Sequence, residues 1–461
     1  MSAARIAPTI DGPGESLAVP DPDRVRIAVI DDDPTGTQTV RDVPLVMSWD
    51  PPDLEWAMAT ARPLFAILTN SRALPESRAI EINREIGERL TAVADRLGVD
   101  VRAISRGDST LRGHFPAEPE ALAAGLATGG RAVDVVLLCP AYPEAGRVTI
   151  DDVHFLRTGE ALVPVGETEF ARDPVFGYHA SDLVAWIRER AGRDAGVATI
   201  GLDELRAQGP SRVAEVLLGA RGRARYVVAN AVEERDLAVI AGGVALAERR
   251  GLRLVCRTGP SFLSASAGWP APAPLEPAEL GTADTHGLVV VGSHTELTTR
   301  QLRTARARHA LGVVLLDVDD VLGGARDDAC ARAVAALRAA LRDGDAALVT
   351  SRASAHERSG DALGRAAAIA DAIVAVVGDV AADADLGWVL AKGGITSHDV
   401  AVRALGAQRA TVRGQLFPGQ VSVWELGTGS LRPGLTYVVF PGNVGDEDAF
   451  ALALDRLKGV A

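Results

Sequence analysis

Three consecutive aspartates close a short apolar run in the segment Ile27–Gly36, which reads IAVIDDDPTG. Adjacent carboxylates repel one another, and burying each of them costs free energy unless it is paired. The stability of the fold therefore gives little reason to place Asp31, Asp32 and Asp33 at the end of a core strand. In open α/β sheets, ligands bind outside the carboxyl ends of the strands. We therefore expect these carboxylates to take part in chemistry.

The acidic triplet also fits the pattern of a hydrolase. With the spacing Asp-x-Asp-x-Thr from Asp31, it resembles the opening motif of haloacid-dehalogenase-type phosphatases, in which the first aspartate is the nucleophile. Leu68–Ser71 (LTNS) and Gly378–Asp383 (GDVAAD) resemble later motifs of that family. No lysine occurs between these two segments, although that family needs one there. A phosphohydrolase with Asp31 as nucleophile remains an alternative.

A second polar segment, SRGDSTLRG at Ser105–Gly113, follows directly on the apolar run Val101–Ile104. Arginine presents a planar fork that matches a carboxylate or a phosphate, and hydroxyls with an aspartate can bind a polyol. This combination favours binding of a small acidic sugar, and the alternative is a solvated loop that only caps the next helix. The candidate ligands are Arg106, Asp108, Ser109, Thr110 and Arg112.

An ordered loop is predicted for the start of Cys139–Leu156, because proline, tyrosine and glycine interrupt any regular period there. Arg147 is a further candidate substrate ligand. His154 is a candidate for the same cleft or, equally, for a structural hydrogen bond.

Three turns in the C-terminal part join strand-like to helix-like segments: GSHT at Gly292–Thr295, KGGITS at Lys392–Ser397 and PGNVGD at Pro441–Asp446. Small residues at such turns let backbone N–H groups approach a phosphate at a helix N-terminus. One such turn is an ordinary connection, but three together favour a cradle for nucleotide phosphates. Neither GxxxxGK[ST] nor GxGxxG occurs in the chain. The candidate cofactor ligands are Ser293, Thr295, Lys392, Gly393, Gly394, Thr396, Gly442, Asn443 and Gly445.

The elements that must position these residues alternate between strand and helix. Apolar runs such as Arg26–Ile30 and Phe65–Thr69 predict buried strands, and segments with apolar residues at three- and four-residue spacing, such as Glu76–Leu97, predict helices. The alternation predicts two α/β/α domains with mainly parallel sheets and an active site in the cleft between them. The predicted organisation is a flexible tail at 1–24, a substrate domain at 25–258, a Pro/Ala-rich linker at 259–285 and a nucleotide domain at 286–461.

Composition limits the function classes. The net charge of −13 argues against a nucleic-acid partner, because a phosphate backbone requires a basic surface. The three cysteines lie far apart, which argues against disulfides and a structural zinc site. With no secretory signal and no long apolar run, we expect a cytoplasmic enzyme without a membrane partner. Only Lys392 and Lys458 are lysines, so a catalytic lysine could hardly be any residue but Lys392.

Taken together, the segments DDPTG, RGDSTLRG, KGGITS and PGNVGDEDAF resemble the four-carbon acid sugar kinases, the former DUF1537 family, in order and spacing. The resemblance covers nearly the whole chain after the tail. It implies an N-terminal domain that binds threonate, erythronate or a 3-oxo-tetronate, and a C-terminal domain that binds ATP. It also implies phosphorylation of the terminal hydroxyl of the sugar acid. The chain departs from many members by having Arg106 in place of a lysine and by lacking the lysine of a KSGNFG-like turn.

A kinase mechanism follows from this resemblance as a hypothesis. Asp32 or Asp33 accepts the hydroxyl proton, and the other carboxylate orients the sugar or helps to hold Mg²⁺, while Asp31 has a supporting role. Arg106 and Arg112 grip the substrate carboxylate, and Lys392 reaches a phosphate. An inactive sugar-acid-binding protein is the third reading. The expected partners are an acid sugar and ATP, and a homodimer is left open.

Overall fold

The computed structural model describes residues 24–60, 62–292, 295–351, 362–442 and 444–460. The chain divides into two compact units, one that ends at Pro272 and one that begins at Ala273. Of the predicted tail, only Arg24 is among the described residues, and Ser293 and Asn443 of the predicted nucleotide site lie outside them.

A fully parallel sheet forms the centre of the first unit, with the strand order β2-β3-β1-β4-β11-β5-β10-β9. Its strands are β1 (Val25–Asp31), β2 (Val43–Val46), β3 (Leu64–Leu68), β4 (Asp100–Arg106), β5 (Val135–Cys139), β9 (Val197–Ile200), β10 (Tyr226–Ala229) and β11 (Leu254–Thr258). A separate antiparallel sheet contains β6 (Arg147–Ile150), β7 (Val153–Thr158) and β8 (Ala161–Pro164).

Helices cover both faces of this parallel sheet. In β1, Ala28 and Ile30 pack into one core cluster with the helices after β2, β3 and β4, and the alternate residues Ile27 and Val29 are equally buried. Burial on both faces is why these strands are apolar runs and do not alternate with polar residues. The helices are α1 (Pro51–Met58), α2 (Glu76–Leu97), α3 (Ala117–Thr128), α4 (Leu183–Ala191), α5 (Leu202–Ala220), α6 (Glu234–Arg249) and α7 (Phe262–Ser266).

The second unit has a mixed sheet in the order β13-β14-β12-β15-β18-β17-β16, parallel except at β17, which is antiparallel to both neighbours. Its strands are β12 (Gly287–Val291), β13 (Gly312–Leu316), β14 (Ala346–Thr350), β15 (Trp388–Lys392), β16 (Arg409–Phe417), β17 (Gln420–Leu426) and β18 (Thr436–Phe440). Its helices are α8 (Pro277–Leu280), α9 (Glu296–Arg308), α10 (Val318–Leu322), α11 (Arg326–Asp343), α12 (Ala362–Asp383), α13 (Gly394–Asp399), which continues as a π-helical turn, and α14 (Ala449–Leu457). The predicted α/β class with mainly parallel sheets is confirmed.

Part of the segment predicted as a linker is packed in the first unit. Helix α7 is buried, and Ser264 Oγ donates a hydrogen bond to the Thr39 carbonyl. Thr39 Oγ1 in turn donates to Pro260 O at 2.7 Å. These contacts hold residues 260–266 against the segment that follows the acidic triplet, so this stretch does not have the free backbone of a linker.

Candidate functional site

The acidic triplet lies where the strand order of the first unit reverses. Strands β2 and β3 are on one side of β1, and β4 is on its other side. Asp31, the last residue of β1, is in register with Leu68 of β3 and with Arg106 of β4. Ligands of open α/β sheets bind in the crevice that such a reversal leaves outside the carboxyl ends of the strands. The fold therefore brings together the two polar segments that the sequence singles out in this unit.

Arg106 connects the first two aspartates of the triplet. Its Nη1 is 3.0 Å from Asp31 Oδ1 and 3.4 Å from Asp32 Oδ1, and all three side chains are buried. Gly36 covers this arrangement, because a Cβ at that position would lie 2.1 and 2.4 Å from the Asp31 carboxylate oxygens. A side chain at position 36 would therefore displace the pair.

Two arginines that were not predicted as site residues complete the surroundings of the triplet. Arg72, just after β3, donates to Asp32 from Nη2 (2.5 Å) and Nε (3.3 Å) and to Asp33 from Nη1 (3.0 Å). Arg257, near the end of β11, donates to Asp32 from Nη2 (3.4 Å) and to the buried Glu118 from Nη1 (2.9 Å). Three guanidinium groups thus offset the mutual repulsion of the carboxylates.

The sequence alone could have indicated that one of these two arginines, Arg257, has a buried charged partner. Arg257 lies within the apolar run LVCRT, and a charge inside a strand that is buried on both faces requires a partner. Arg72 follows the LTNS segment in a short 3₁₀ turn, and no local pattern distinguishes it from other arginines that follow strands.

The carboxyls of the triplet differ in their affinity for a proton. Burial raises the pKa of Asp31 to about 7, although Arg106 acts in the opposite direction. Burial would also raise the pKa of Asp33, but Arg72, Arg106 and hydrogen bonds from Thr35 hold it below its usual range. Asp33 is therefore ionised near neutral pH. Asp31 has no exposed surface, so it is not placed to attack a phosphomonoester as the phosphatase alternative requires.

The loop after β4 presents a second set of polar groups, organised around Asp108. Its carboxylate accepts hydrogen bonds from Thr110 N (3.1 Å), Thr110 Oγ1 (2.6 Å) and Arg112 Nε (2.6 Å). Burial would raise the pKa of Asp108, but Arg72 and Arg112 hold it far below its usual range. Arg112 is a quarter exposed and lies over the Phe170 ring, 5.0 Å from Cζ to the ring centroid. Ser109 and Thr110 are almost fully buried.

Arg147 and His154 lie on the small antiparallel sheet. Arg147 Nη1 donates to Ala145 O at 2.7 Å, and burial lowers its pKa. Of the charges on the loop after β4, Asp108 raises the pKa of Arg147 and Arg112 lowers it. His154 is fully buried and hydrogen-bonds to Thr149 and to the Ser109 carbonyl, so the structural reading of this residue is the one its position supports.

The glycine turns of the second unit also lie where the strand order reverses. Strands β13 and β14 are on one side of β12, and β15 and β18 are on the other, so the three predicted turns follow neighbouring strands. A Cβ at Gly292 would lie 2.6 Å from Thr396 Oγ1, which shows how closely the first two turns approach each other. Gly393 has φ +109°, a left-handed conformation that favours glycine. Thr295 is the N-cap of α9, because its hydroxyl accepts a hydrogen bond from Thr298 N.

The third turn is tied to α9 by hydrogen bonds. Thr298 Oγ1 donates to Gly442 O at 3.4 Å, and Gln301 Nε2 donates to Val444 O at 3.0 Å. Gly445 has φ +79°. Gly394 is the first residue of α13, so its N–H is one of those that a helix leaves without an internal acceptor. Backbone groups from three turns therefore meet at one edge of this sheet.

The Lys392 side chain lies in the core, whereas we predicted that it reaches a phosphate. The side chain has no exposed surface, and its Nζ donates to Pro441 O (3.2 Å) and lies 4.2 Å from the centroid of the Phe440 ring. Burial lowers its pKa to about 7. The side chain thus lies in the core beneath the third turn, because the strand residue points inward between Phe440 and Phe450.

Among the described residues, no helix is both long and apolar enough to cross a bilayer. Over the same ranges, no group of three or more His, Cys, Asp or Glu side chains is arranged to hold a metal ion. Mg²⁺ in phosphoryl-transfer sites commonly binds one or two carboxylates together with substrate phosphates and water. Such an ion would not need a cage built from the protein alone.

Comparisons with known proteins identify a domain family for each unit. Residues 27–266 match the model of a sugar-binding N-terminal domain, and residues 288–450 match that of a nucleotide-binding C-terminal domain. A D-threonate kinase of Salmonella typhimurium is 28% identical over 329 residues, which are 68% of this chain and 70% of that protein. A D-threonate kinase of Cupriavidus necator is 31% identical over 220 residues, 46% of this chain and 47% of that protein.

Two solved structures share the fold at low sequence identity. A protein from Salmonella typhimurium LT2 has a TM-score of 0.68 and 19% identity, over 93% of this chain and 98% of its own. Haemophilus influenzae protein HI1011, of family DUF1537, has a TM-score of 0.64 and 19% identity, over 93% of this chain and 99% of its own.

Proposed function

Because this chain belongs to the four-carbon acid sugar kinase family, we propose that it transfers the γ-phosphoryl group of ATP to the terminal hydroxyl of a four-carbon acid sugar. The substrate would be of the threonate, erythronate or 3-oxo-tetronate type. One observation carries the proposal: in each unit, most of the predicted site residues that the structure describes lie at the reversal of the strand order. Phosphoryl transfer depends mainly on positioning and charge neutralisation, and these two sets of groups supply both.

Arg112 of the proposed sugar site would bind the substrate carboxylate. Arg106 is buried against the triplet and Arg257 is buried against Glu118, so both arginines neutralise carboxylates of the protein itself. Arg112 is more exposed, and its Nη1 is 3.7 Å from Asp173 Oδ2, a looser contact than the one its Nε makes with Asp108. A sugar acid carboxylate would displace this loose contact and use the fork of Arg112.

Asp33 is the carboxylate best placed to accept the proton of the substrate hydroxyl. It is a fifth exposed, whereas Asp32 is 2% exposed and receives hydrogen bonds from three arginines. The lowered pKa of Asp33 makes it a weak base. A weak base suffices in a loose transition state, because the hydroxyl loses its proton only after bonding to phosphorus has begun.

ATP and Mg²⁺ are proposed for the other part of the reaction. The turns that contain Gly292, Gly394 and Gly442 lie at the reversal of the second sheet, and the N–H of Gly394 is one that α13 leaves without an internal acceptor, which suits a polyphosphate. Asp32, the carboxylate that is not the proposed base, would help to hold Mg²⁺, and the charge of the ion would lower the cost of gathering phosphate and carboxylates together.

The test is ATP turnover against a panel of threonate, erythronate and 3-oxo-tetronate stereoisomers, followed as ADP release. We expect turnover with at least one acid and a loss of at least about 100-fold in Asp33→Asn. No turnover with any acid overturns the proposal, and ligand-induced stabilisation without turnover would indicate an inactive binding protein. Hydrolysis of phosphomonoesters without nucleotide, abolished by Asp31→Asn, would instead support the phosphatase.

A further inference from the structure

The sugar-site loop Asp108–Arg112 contains a strained residue. Leu111 has φ +68°, a left-handed conformation that a bulky side chain rarely adopts because it is strained. The Leu111 side chain is buried in a cluster with Phe115 and Trp186. Such a conformation persists only where its surroundings determine it more strongly than the local backbone preference does.

One residue that contacts this loop from outside is His154, on β7 of the small antiparallel sheet. Its Nε2 lies 2.8 Å from Ser109 O and its Nδ1 lies 2.9 Å from Thr149 Oγ1. A carbonyl oxygen can only accept, so Nε2 carries the proton and Nδ1 accepts from the Thr149 hydroxyl. Burial lowers the pKa of His154 to about 4, which keeps the ring neutral in this tautomer at ordinary pH.

The second residue that contacts the loop from outside is Tyr178, which binds the next carbonyl of the same loop. Its hydroxyl donates to Thr110 O at 2.6 Å, and the residue is 3% exposed. Its ring meets the Trp186 ring edge to face, with 6.5 Å between the centroids. Two buried donors from outside the loop thus hold successive carbonyls, Ser109 O and Thr110 O, immediately before the strained Leu111.

We propose that His154 and Tyr178 are positioning residues that hold the loop Asp108–Arg112 in its sugar-binding form. The inference rests on the proposed function for the identity of the ligand. Both side chains are buried, so neither touches the substrate, and they act through the two carbonyls. The loop conformation then sets where Asp108 and Arg112 point, and a small displacement of such groups weakens binding and transfer.

The experiment compares Tyr178→Phe, His154→Leu and His154→Gln with Tyr226→Phe as a matched control. Tyr226 belongs to the same buried cluster, but its hydroxyl donates to Glu120 on α3 and not to the loop. We expect Tyr178→Phe and His154→Leu to raise the KM and Kd for the sugar acid about 10-fold, with the KM for ATP unchanged within about twofold. His154→Gln, whose amide can donate to Ser109 O, should recover most of the loss, and Tyr226→Phe should leave both constants unchanged.

Hydrogen exchange separates this inference from the proposed function. Thr110 N and Leu111 N donate to Asp108 and are protected while the loop holds its form. Their exchange should accelerate in Tyr178→Phe and His154→Leu but not in Tyr226→Phe, whether or not the parent phosphorylates a sugar acid. Unchanged exchange in Tyr178→Phe, or an unchanged sugar-acid Kd in a folded Tyr178→Phe, overturns the inference. If His154→Leu fails to fold, Tyr178→Phe alone decides.

Discussion

Arg72 holds the Asp32 carboxylate with two nitrogens of one guanidinium group, Nη2 at 2.5 Å from Oδ1 and Nε at 3.3 Å from Oδ2. Its third nitrogen reaches Asp33. A planar fork can satisfy two neighbouring carboxylates in this way, whereas an ammonium group acts as a point charge. The arrangement of the proposed base and its neighbour therefore depends on the shape of the cation as well as on its charge.

Arg72→Lys tests that dependence. The variant keeps the charge but loses the fork, so kcat/KM for the sugar acid should fall by about 10- to 100-fold while the protein stays folded. The control is Arg78→Lys, because Arg78 pairs with Glu81 on an exposed helix surface and its replacement should change nothing measurable. Steady-state kinetics of the two variants decides, and equal kcat/KM values would refute the role of the fork.

Asp31→Asn tests the buried carboxyl through pH. The pKa of Asp31 in the folded state, about 7, lies above the ordinary value of 3.8. The stability that the protonated carboxyl contributes is therefore fully present below about pH 4. Stability is then lost as pH rises toward about 7, because the folded state binds the proton more tightly than the unfolded state. The free energy of unfolding of Asp31→Asn relative to the parent should therefore be higher by a few kcal/mol at pH 8 than at pH 5. Urea titrations at both pH values measure it, and a difference independent of pH would contradict the assignment.

Lys392→Met tests the buried lysine. With a folded pKa of about 7 against 10.5, Lys392 destabilises the fold increasingly as pH falls from about 10 to 7, since only the unfolded state keeps its proton there. Methionine fills a similar volume, so the variant should be more stable at pH 7 by a few kcal/mol, less about 1 kcal/mol for the lost bond to Pro441 O. The gain should shrink toward pH 10.

Lys458→Met, which changes the other lysine, is the control and should show no such gain. The KM for ATP of Lys392→Met separates the two positions considered for this side chain. A core lysine predicts a change of less than about threefold, and a rise of about 50-fold or more would indicate the phosphate ligand that the sequence suggests.

Gly36→Ala tests the close packing over Asp31 and Arg106. The added methyl group would also meet Arg106 Cζ at 2.5 Å, so the pair must shift. We expect a loss of about 1–3 kcal/mol in the free energy of unfolding together with at least about a 10-fold loss of kcat. Gly219→Ala is the control, since its Cβ meets nothing within 4 Å in α5 and should stabilise the protein slightly. Full activity in Gly36→Ala would show that the pair tolerates displacement.

Much of the fold could be predicted because strands buried on both faces are continuous apolar runs, as in Phe65–Thr69 for β3. The hairpin β16–β17 was missed because its strands mix arginine, glycine and serine with apolar residues and antiparallel pairing leaves no such run. The triplet and the loop after β4 were predictable from their local density of polar groups. Arg72 was not, because its role arises only when β3 lies beside β1. The inward direction of Lys392 likewise depends on the pleat of β15 against Phe440.

Among the described residues, the side chains that form ion pairs with the acidic triplet are all arginines, and both lysines of the chain belong to the other unit. Guanidinium keeps its proton throughout the pH range in which proteins fold. It also resists acyl phosphates and thioesters, which neutralise lysines by acylating their amines. The arginines that pair with the acidic triplet, and Arg112 of the proposed sugar site, would therefore keep their charge where acylation would neutralise a lysine.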